Sequence, residues 1–151
     1  MKTSLRVRKF RSEDLDKVLE IEAQAFPKTV YPEEIFLAYA RALPKGFIVA
    51  ELEGDIAGYL IFDPNGHVHS TAVKSACRRR GLGRALFRHA SSHAEKRLWL
   101  EVRSKNEEAI RFYQGLGMRV IGKVPGYYGS DDALLMVMAQ GGRSAGEGPE
   151  R

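Results

Sequence analysis

Cysteine is almost missing from this chain, Cys77 being the only one. No internal disulfide can form, and no set of soft ligands exists for zinc or an iron–sulfur centre. A run of 18 apolar residues is also missing, which excludes a membrane-spanning helix by the usual length criterion. The first residues, Met1-Lys2-Thr3-Ser4-Leu5-Arg6, pass straight into alternating polar and apolar positions without the apolar stretch of a secretory leader. Internal repeats are lacking too. A reducing, cytoplasmic setting away from membranes is the expectation that follows.

What the chain does contain suits an ordinary folded domain. Its 151 residues are 44% hydrophobic and 28% charged, enough to bury about 68–70% of the unfolded surface in one core. The net charge is +5, and its placement says more than its size. Lys74, Arg78, Arg79, Arg80 and Arg84 fall within eleven residues that hold no acid, so this one segment carries an excess equal to that of the whole chain. An anionic ligand at that point is implied.

Periodicity sets out the elements. Ser4 to Phe10 alternates as a first strand. Ser12 reads as a helix N-cap with Glu13 and Asp14 in the first turn, and Leu15, Val18, Leu19 and Glu22-Ala23 continue at helical spacing until Phe26-Pro27. A second helix starts at Pro32 and stops at Pro44-Lys45-Gly46. Phe47–Leu52 and Ile56–Phe62 form a hairpin about Glu53-Gly54-Asp55, and after the turn Asp63-Pro64-Asn65-Gly66 a third strand runs from His67 to Val73. Next come a helix over 81–94, a buried strand over 98–102, a helix over 107–114 closed by Gly115, and strands over 118–123 and 133–139. This order predicts an α/β fold with a mixed, mostly antiparallel sheet of about seven strands, in which the fourth and fifth are parallel neighbours across a βαβ crossover. Residues 1–139 form the domain. Residues 140–151, all Gly, Ser, Pro, charge and small polar or apolar residues, read as a disordered tail.

The segment Arg78-Arg79-Arg80-Gly81-Leu82-Gly83-Arg84 joins a predicted strand to a predicted helix. Its glycines permit a tight turn, the helix N-terminus offers unpaired N–H groups, and arginines add charge-assisted bonds to phosphate. A pyrophosphate suits this place. No Gly-Lys-Ser/Thr follows, so it is not a Walker loop. Leu86 stands where a dinucleotide fingerprint requires its third glycine. No aromatic residue from 74 to 86 is present to stack a base, so nucleic acid is not the expected partner.

With this turn, the chain resembles the GNAT superfamily of acetyl-CoA-dependent N-acetyltransferases, whose Arg/Gln-x-x-Gly-x-Gly/Ala signature is met by Arg78, Gly81 and Gly83. A second block carries a narrower likeness. Leu100-Glu101-Val102-Arg103, Asn106, Ala109-Ile110, Phe112-Tyr113 and Leu116-Gly117-Met118 are similar to the matching block of ribosomal-protein alanine N-acetyltransferases and archaeal protein N-terminal acetyltransferases. The likeness runs from about Leu5 to Met138 and is strongest from Thr71 onward. It implies a splayed fourth and fifth strand with the pantetheine arm of acetyl-CoA between them. Backbone groups of Ala72 and Val73 would hold that arm. The segment Arg78, Arg79, Arg80, Gly81, Leu82, Gly83 and Arg84 would hold the pyrophosphate, and Asn106 would contact the cofactor. No metal is expected.

Acetyl transfer to nitrogen needs a base to free the amine of its proton and an acid for the departing thiolate. Alternation places Glu101 on the face shared with Trp99 and Arg103, opposite Leu98, Leu100 and Val102. From the residues alone, Glu101 is either that base or the partner of Arg103. The resemblance implies the base, acting through water or directly, and implies Tyr113 as the acid. Asn106 and Tyr113 lie two helical turns apart on one predicted face. His67 and His69 alternate along one strand and read as a polar sheet face. Cys77 has no spaced histidine and reads as incidental.

For the acceptor, the resemblance points to Phe26, Pro27 and Tyr31 in the first connection and to Tyr127 and Tyr128 in the loop before the last strand. Tyrosines offer a hydroxyl and a rigid apolar face to a peptide backbone. A protein or peptide N-terminus is therefore the expected acceptor. Lys28 follows the Phe-Pro pair where the ribosomal-protein enzymes often carry tryptophan, and acceptors that are lysines or small amines stay open. So does a non-catalytic acetyl-CoA-binding module.

Overall fold

The computed structural model describes residues 4–29 and 31–139. The predicted tail, 140–151, lies outside them. The chain divides into two compact units, one built from the chain up to Asp63 together with His69–Ala90, the other from Pro64–Val68 and the chain from Ser91 onward.

In the first unit, β1 (Leu5–Lys9) leads through a 3-10 turn into α1 (Leu15–Ala25), followed by α2 (Glu33–Ala42), β2 (Phe47–Leu52) and β3 (Asp55–Phe62). Ser12 is not the cap expected of it. Arg11 takes the capping position, and Asp14 reaches back to accept its N–H at 2.8 Å. The same carboxylate accepts from Arg8 Nη1 and Nη2 at 2.8 and 2.9 Å, while Arg8 Nε donates to Glu51 at 2.7 Å. Burial opposes the Asp14 charge, but Arg8 and the Arg11 N–H outweigh it and hold the carboxyl below its usual range. Asp14 is claimed by a guanidinium and a backbone donor together, which a serine could not satisfy.

β2 runs antiparallel between β1 and β3, and β4 (Val68–Val73) completes the order β1-β2-β3-β4. α1 and α2 lay Val18, Ile21 and Phe36 against Phe47, Val49, Ile56, Tyr59 and Ile61. Each such side chain, taken wholly out of water, stabilises the unit by about 1.5–3 kcal/mol. α3 (Leu82–His93) buries Leu82, Leu86, Phe87 and Ala90.

The second unit holds β5 (Trp99–Arg103), α4 (Glu107–Gly115), β6 (Met118–Val124) and β7 (Ala133–Met138), with antiparallel strand order β5-β7-β6. Leu98, Leu100 and Val102 are buried, as the alternation predicted. The glycine that stops α4 is Gly117, at φ +102, and not Gly115, which is the last helical residue; the N–H of Gly117 donates to Gln114 O. His67 forms one parallel bridge with Trp99. Gly66 makes that approach possible: at φ +90, a side-chain carbon there would stand 2.0 Å from Arg97 O.

Candidate active site

Around β5, alternation turns the Glu101 carboxylate away from buried Leu100 and Val102. It meets His67, Nε2 to Oε1 at 2.9 Å, with the two side chains only 22% and 17% exposed. The alternative pairing with Arg103 does not form. Arg103 instead places its guanidinium 4.3 Å from the centre of the Tyr128 ring, a cation–π contact. The His67 ring is stacked on Trp99, centroids 4.1 Å apart and 15° between planes. With Glu101 ionised, the proton of the shared bond sits on Nε2, because a carboxylate only accepts. The orientation of the ring is set by Glu101 on one edge and Trp99 on one face. A carboxylate and an imidazole in hydrogen-bond contact can between them exchange a proton with a bound group.

His67 was read from the sequence as part of a polar strand face. Each ring has found a carboxylate: beside the bond of His67 to Glu101, His69 lies 2.9 Å from Asp63 in the first unit.

Tyr113 lies on α4 beside Phe112, ring centroids 5.6 Å apart. Burial, with the neighbouring Tyr128 adding to it, pushes its phenol up to about 12. The hydroxyl therefore keeps its proton throughout the range in which proteins work, as a donor must. Asn106, expected on one face with Tyr113, is not itself a residue of α4. It sits ahead of α4 as the N-cap, its oxygen accepting from Ala109 N at 3.2 Å, and only its amide N–H groups remain to donate to a ligand.

Tyr127 and Tyr128 meet edge to face at 4.8 Å, Tyr127 half exposed. Among the bonds that tie their loop down are Gly126 N to Asp132 Oδ1, Tyr128 N to Asp131 O, Ser104 N to Asp132 O, and Ser104 Oγ to Asp131 Oδ1.

The first unit carries the other candidates. Ala72 and Val73 are half-buried on β4. Arg78, Arg79, Arg80 and Arg84 are all exposed. Arg79 and Gly81 both adopt left-handed backbone, φ +67 and +84, a geometry that turns successive N–H groups toward one side and suits an anion. Ala85 N–H closes the first helical bond, onto Gly81 O, so Leu82, Gly83 and Arg84 carry N–H groups with no helical acceptor. Free amides, a helix N-terminus and four guanidinium groups fit the pyrophosphate of a coenzyme. Phe26, Pro27 and Tyr31 are exposed in the connection from α1 to α2. Among the described residues, no helix is long and apolar enough to cross a membrane.

The chain as a whole is similar to known proteins. The acetyltransferase (GNAT) family matches residues 15–118. An uncharacterized N-acetyltransferase of Methanocaldococcus jannaschii is 41% identical over 140 residues, 87% of this chain and 89% of its own. An N-alpha-acetyltransferase of Sulfurisphaera tokodaii is 33% identical over 87% of this chain and 90% of its own. Among solved structures, the ribosomal-protein-alanine N-acetyltransferase of Escherichia coli superposes with a TM-score of 0.75 at 26% identity, covering 89% of this chain and 93% of that one. The chain belongs to the acetyltransferase (GNAT) family and is an enzyme that takes its acetyl group from acetyl-CoA.

Proposed function

We propose that the enzyme acetylates the α-amine of a protein or peptide N-terminus by direct transfer, with the Glu101–His67 pair taking the proton of the incoming ammonium and Tyr113 donating to the departing thiolate. The observation that carries this reading is the bond between His67 and Glu101, supported on Trp99. Acetyl-CoA supplies the acetyl group as a thioester. The amine nitrogen bonds to the acetyl carbon as the carbon–sulfur bond breaks, the amine proton passes to the base, and sulfur leaves toward a hydroxyl hydrogen. The phosphate contacts fall to Arg78, Arg79, Arg80, Gly81, Leu82, Gly83 and Arg84, the pantetheine contacts to Ala72 and Val73, and a further donor contact to Asn106. Phe26, Pro27, Tyr31, Tyr127 and Tyr128 receive the acceptor. A relative named as an N-alpha-acetyltransferase supports an N-terminal acceptor, and tyrosines that present a ring and a hydroxyl suit a peptide backbone. The setting we infer is the cytoplasm, consistent with a single cysteine.

The test follows thiol release from acetyl-CoA with three acceptors: lysine-free peptides with free N-termini, N-blocked peptides containing lysine, and polyamines. Turnover confined to free N-termini is the expected result. Release with lysine or polyamine alone would show that the acceptor is a different amine, and absence of turnover with all three, despite acetyl-CoA binding, would overturn the proposed reaction.

A further inference from the structure

Glu22 lies in α1 at 1% exposure. A carboxylate so far from water is kept only where donors satisfy it. Two do so. Tyr59, itself fully buried, donates its hydroxyl to Oε1, and the backbone N–H of Tyr31 donates to Oε2 at 3.3 Å. Because the Tyr59 hydrogen is committed to Glu22, Ser70 Oγ, 2.9 Å away on β4, donates to the Tyr59 oxygen. Burial, and next the Glu22 charge, push the Tyr59 phenol far above its usual value, so it stays a donor at every working pH. One carboxylate thus ties together α1, β3, β4 and the connection that precedes α2.

For stability alone, a pair of apolar residues of similar volume in place of Glu22 and Tyr59 would serve as well or better. What an apolar residue could not do is hold the Tyr31 amide. Tyr31 sits at the end of the segment that begins with Phe26, and both side chains are 38% exposed. The Tyr31 ring lies 6.0 Å from Phe36, and Phe36 packs edge-on against Tyr59 at 5.8 Å. Backbone and ring are both referred to Tyr59, through Glu22 and through Phe36.

We infer that Glu22 is a positioning residue for the acceptor: it holds the Tyr31 backbone so that Phe26 and Tyr31 are presented in a single arrangement. This rests on the reading that these two residues receive the acceptor. Glu22→Gln keeps an oxygen for Tyr59 but sets an amide N–H₂ against the Tyr31 N–H. Its expected effect is a rise of about tenfold in KM for a lysine-free peptide, the scale of one hydrogen bond. kcat at saturation and KM for acetyl-CoA stay within about twofold. Hydrogen exchange at the Tyr31 amide accelerates by about the same tenfold, while amides in β2 and β3 keep their protection. An unchanged peptide KM, or a Tyr31 amide that exchanges as before, would overturn the inference. If Glu22→Gln does not fold, the comparison of Tyr31→Ala with Tyr31→Pro carries the test. Both lose the ring and only the second loses the N–H, so a peptide KM about tenfold higher for the proline variant supports the tether, and equal values refute it. Should the wild-type enzyme turn over lysine or polyamine in place of free N-termini, the acceptor reading fails by itself. The same KM and exchange measurements, made with that amine, then decide the role of Glu22 separately.

Discussion

Tyr113→Phe removes one oxygen and leaves the ring against Phe112, so the fold should be unaffected while the proposed proton donor is lost. The size of the effect follows from the phenol's position near 12. A thiolate whose conjugate acid titrates near 8.5 would take that proton completely only at a cost of about 5 kcal/mol. Tyr113 is therefore suited to stabilise the departing sulfur by a hydrogen bond rather than to surrender its proton early. A hydrogen bond to a charged partner contributes about 1.5–3 kcal/mol, which predicts a fall of roughly ten- to 150-fold in kcat, below the upper reach of full acid catalysis at about 10⁴. The assay is single-turnover thiol release across pH 6 to 10, with melting temperature as the control for folding. The wild-type profile should show no alkaline limb from Tyr113 in that range, since the phenol remains protonated. A loss near 10⁴ would mean that Tyr113 transfers its proton fully and that its acidity in the complex is much greater than its burial here implies. A loss below about threefold would remove Tyr113 from the leaving-group side altogether.

Three further outcomes follow. Glu101→Gln and His67→Ala should each lower kcat/KM by roughly 10²- to 10⁴-fold, and the double variant should be little worse than the poorer single one, because the two side chains act as a pair; additive losses would show that they work separately. Gly66→Ala puts a carbon against Arg97 O at a left-handed position, and should destabilise by at least about 2 kcal/mol, roughly 4–8 °C in Tm, while Gly115→Ala, with open space around it, should leave Tm unchanged or slightly raised when both are measured by thermal melting. The lowered Asp14 carboxyl contributes stability that is complete above the unfolded value of about 3.9 and is lost as pH falls through the folded one. Asp14→Asn should cost about 3 kcal/mol at neutral pH and flatten the decline in Tm below pH 4; an equally steep decline would place the acid sensitivity elsewhere.

The elements were legible because their signals are local. Alternation over 98–102, the Asp63-Pro64-Asn65-Gly66 turn and the helical stripe of α1 each depend on neighbours within a turn or two. The partner of Glu101 was not legible in that way. Along one strand, residues two apart are separated by about 6.8 Å, while adjacent strands stand about 4.8 Å apart. A residue across the sheet therefore competes well against Arg103, the nearest cation in sequence; the expected parallel neighbourhood of the two strands put His67 beside this one, but without a register it did not single out His67, 34 residues earlier, as the partner. His69 was misjudged for a different reason. Its carboxylate, Asp63, lay in the adjoining turn and counted only as a turn residue.

Glu22 is the instructive case, because its signal was present. Leu15, Val18, Leu19 and Glu22 fall at i, i+3, i+4 and i+7, so the acid stands on the apolar stripe of α1. A solvated glutamate has three-quarters of a helix surface on which to sit at no cost. One placed on the buried stripe must find donors in the core, and the nearby apolar strand offers one in the hydroxyl of Tyr59. Two polar groups embedded in otherwise apolar patterns are thus each other's explanation, and the energy of burying them is offset only if both are satisfied. The N–H of Tyr31 then takes the second oxygen. An acid on the apolar face of a helix, paired with a lone tyrosine in an apolar strand, is accordingly a sequence sign of a buried tether, and the segment it holds is the part of the chain in which to look for contact with substrate.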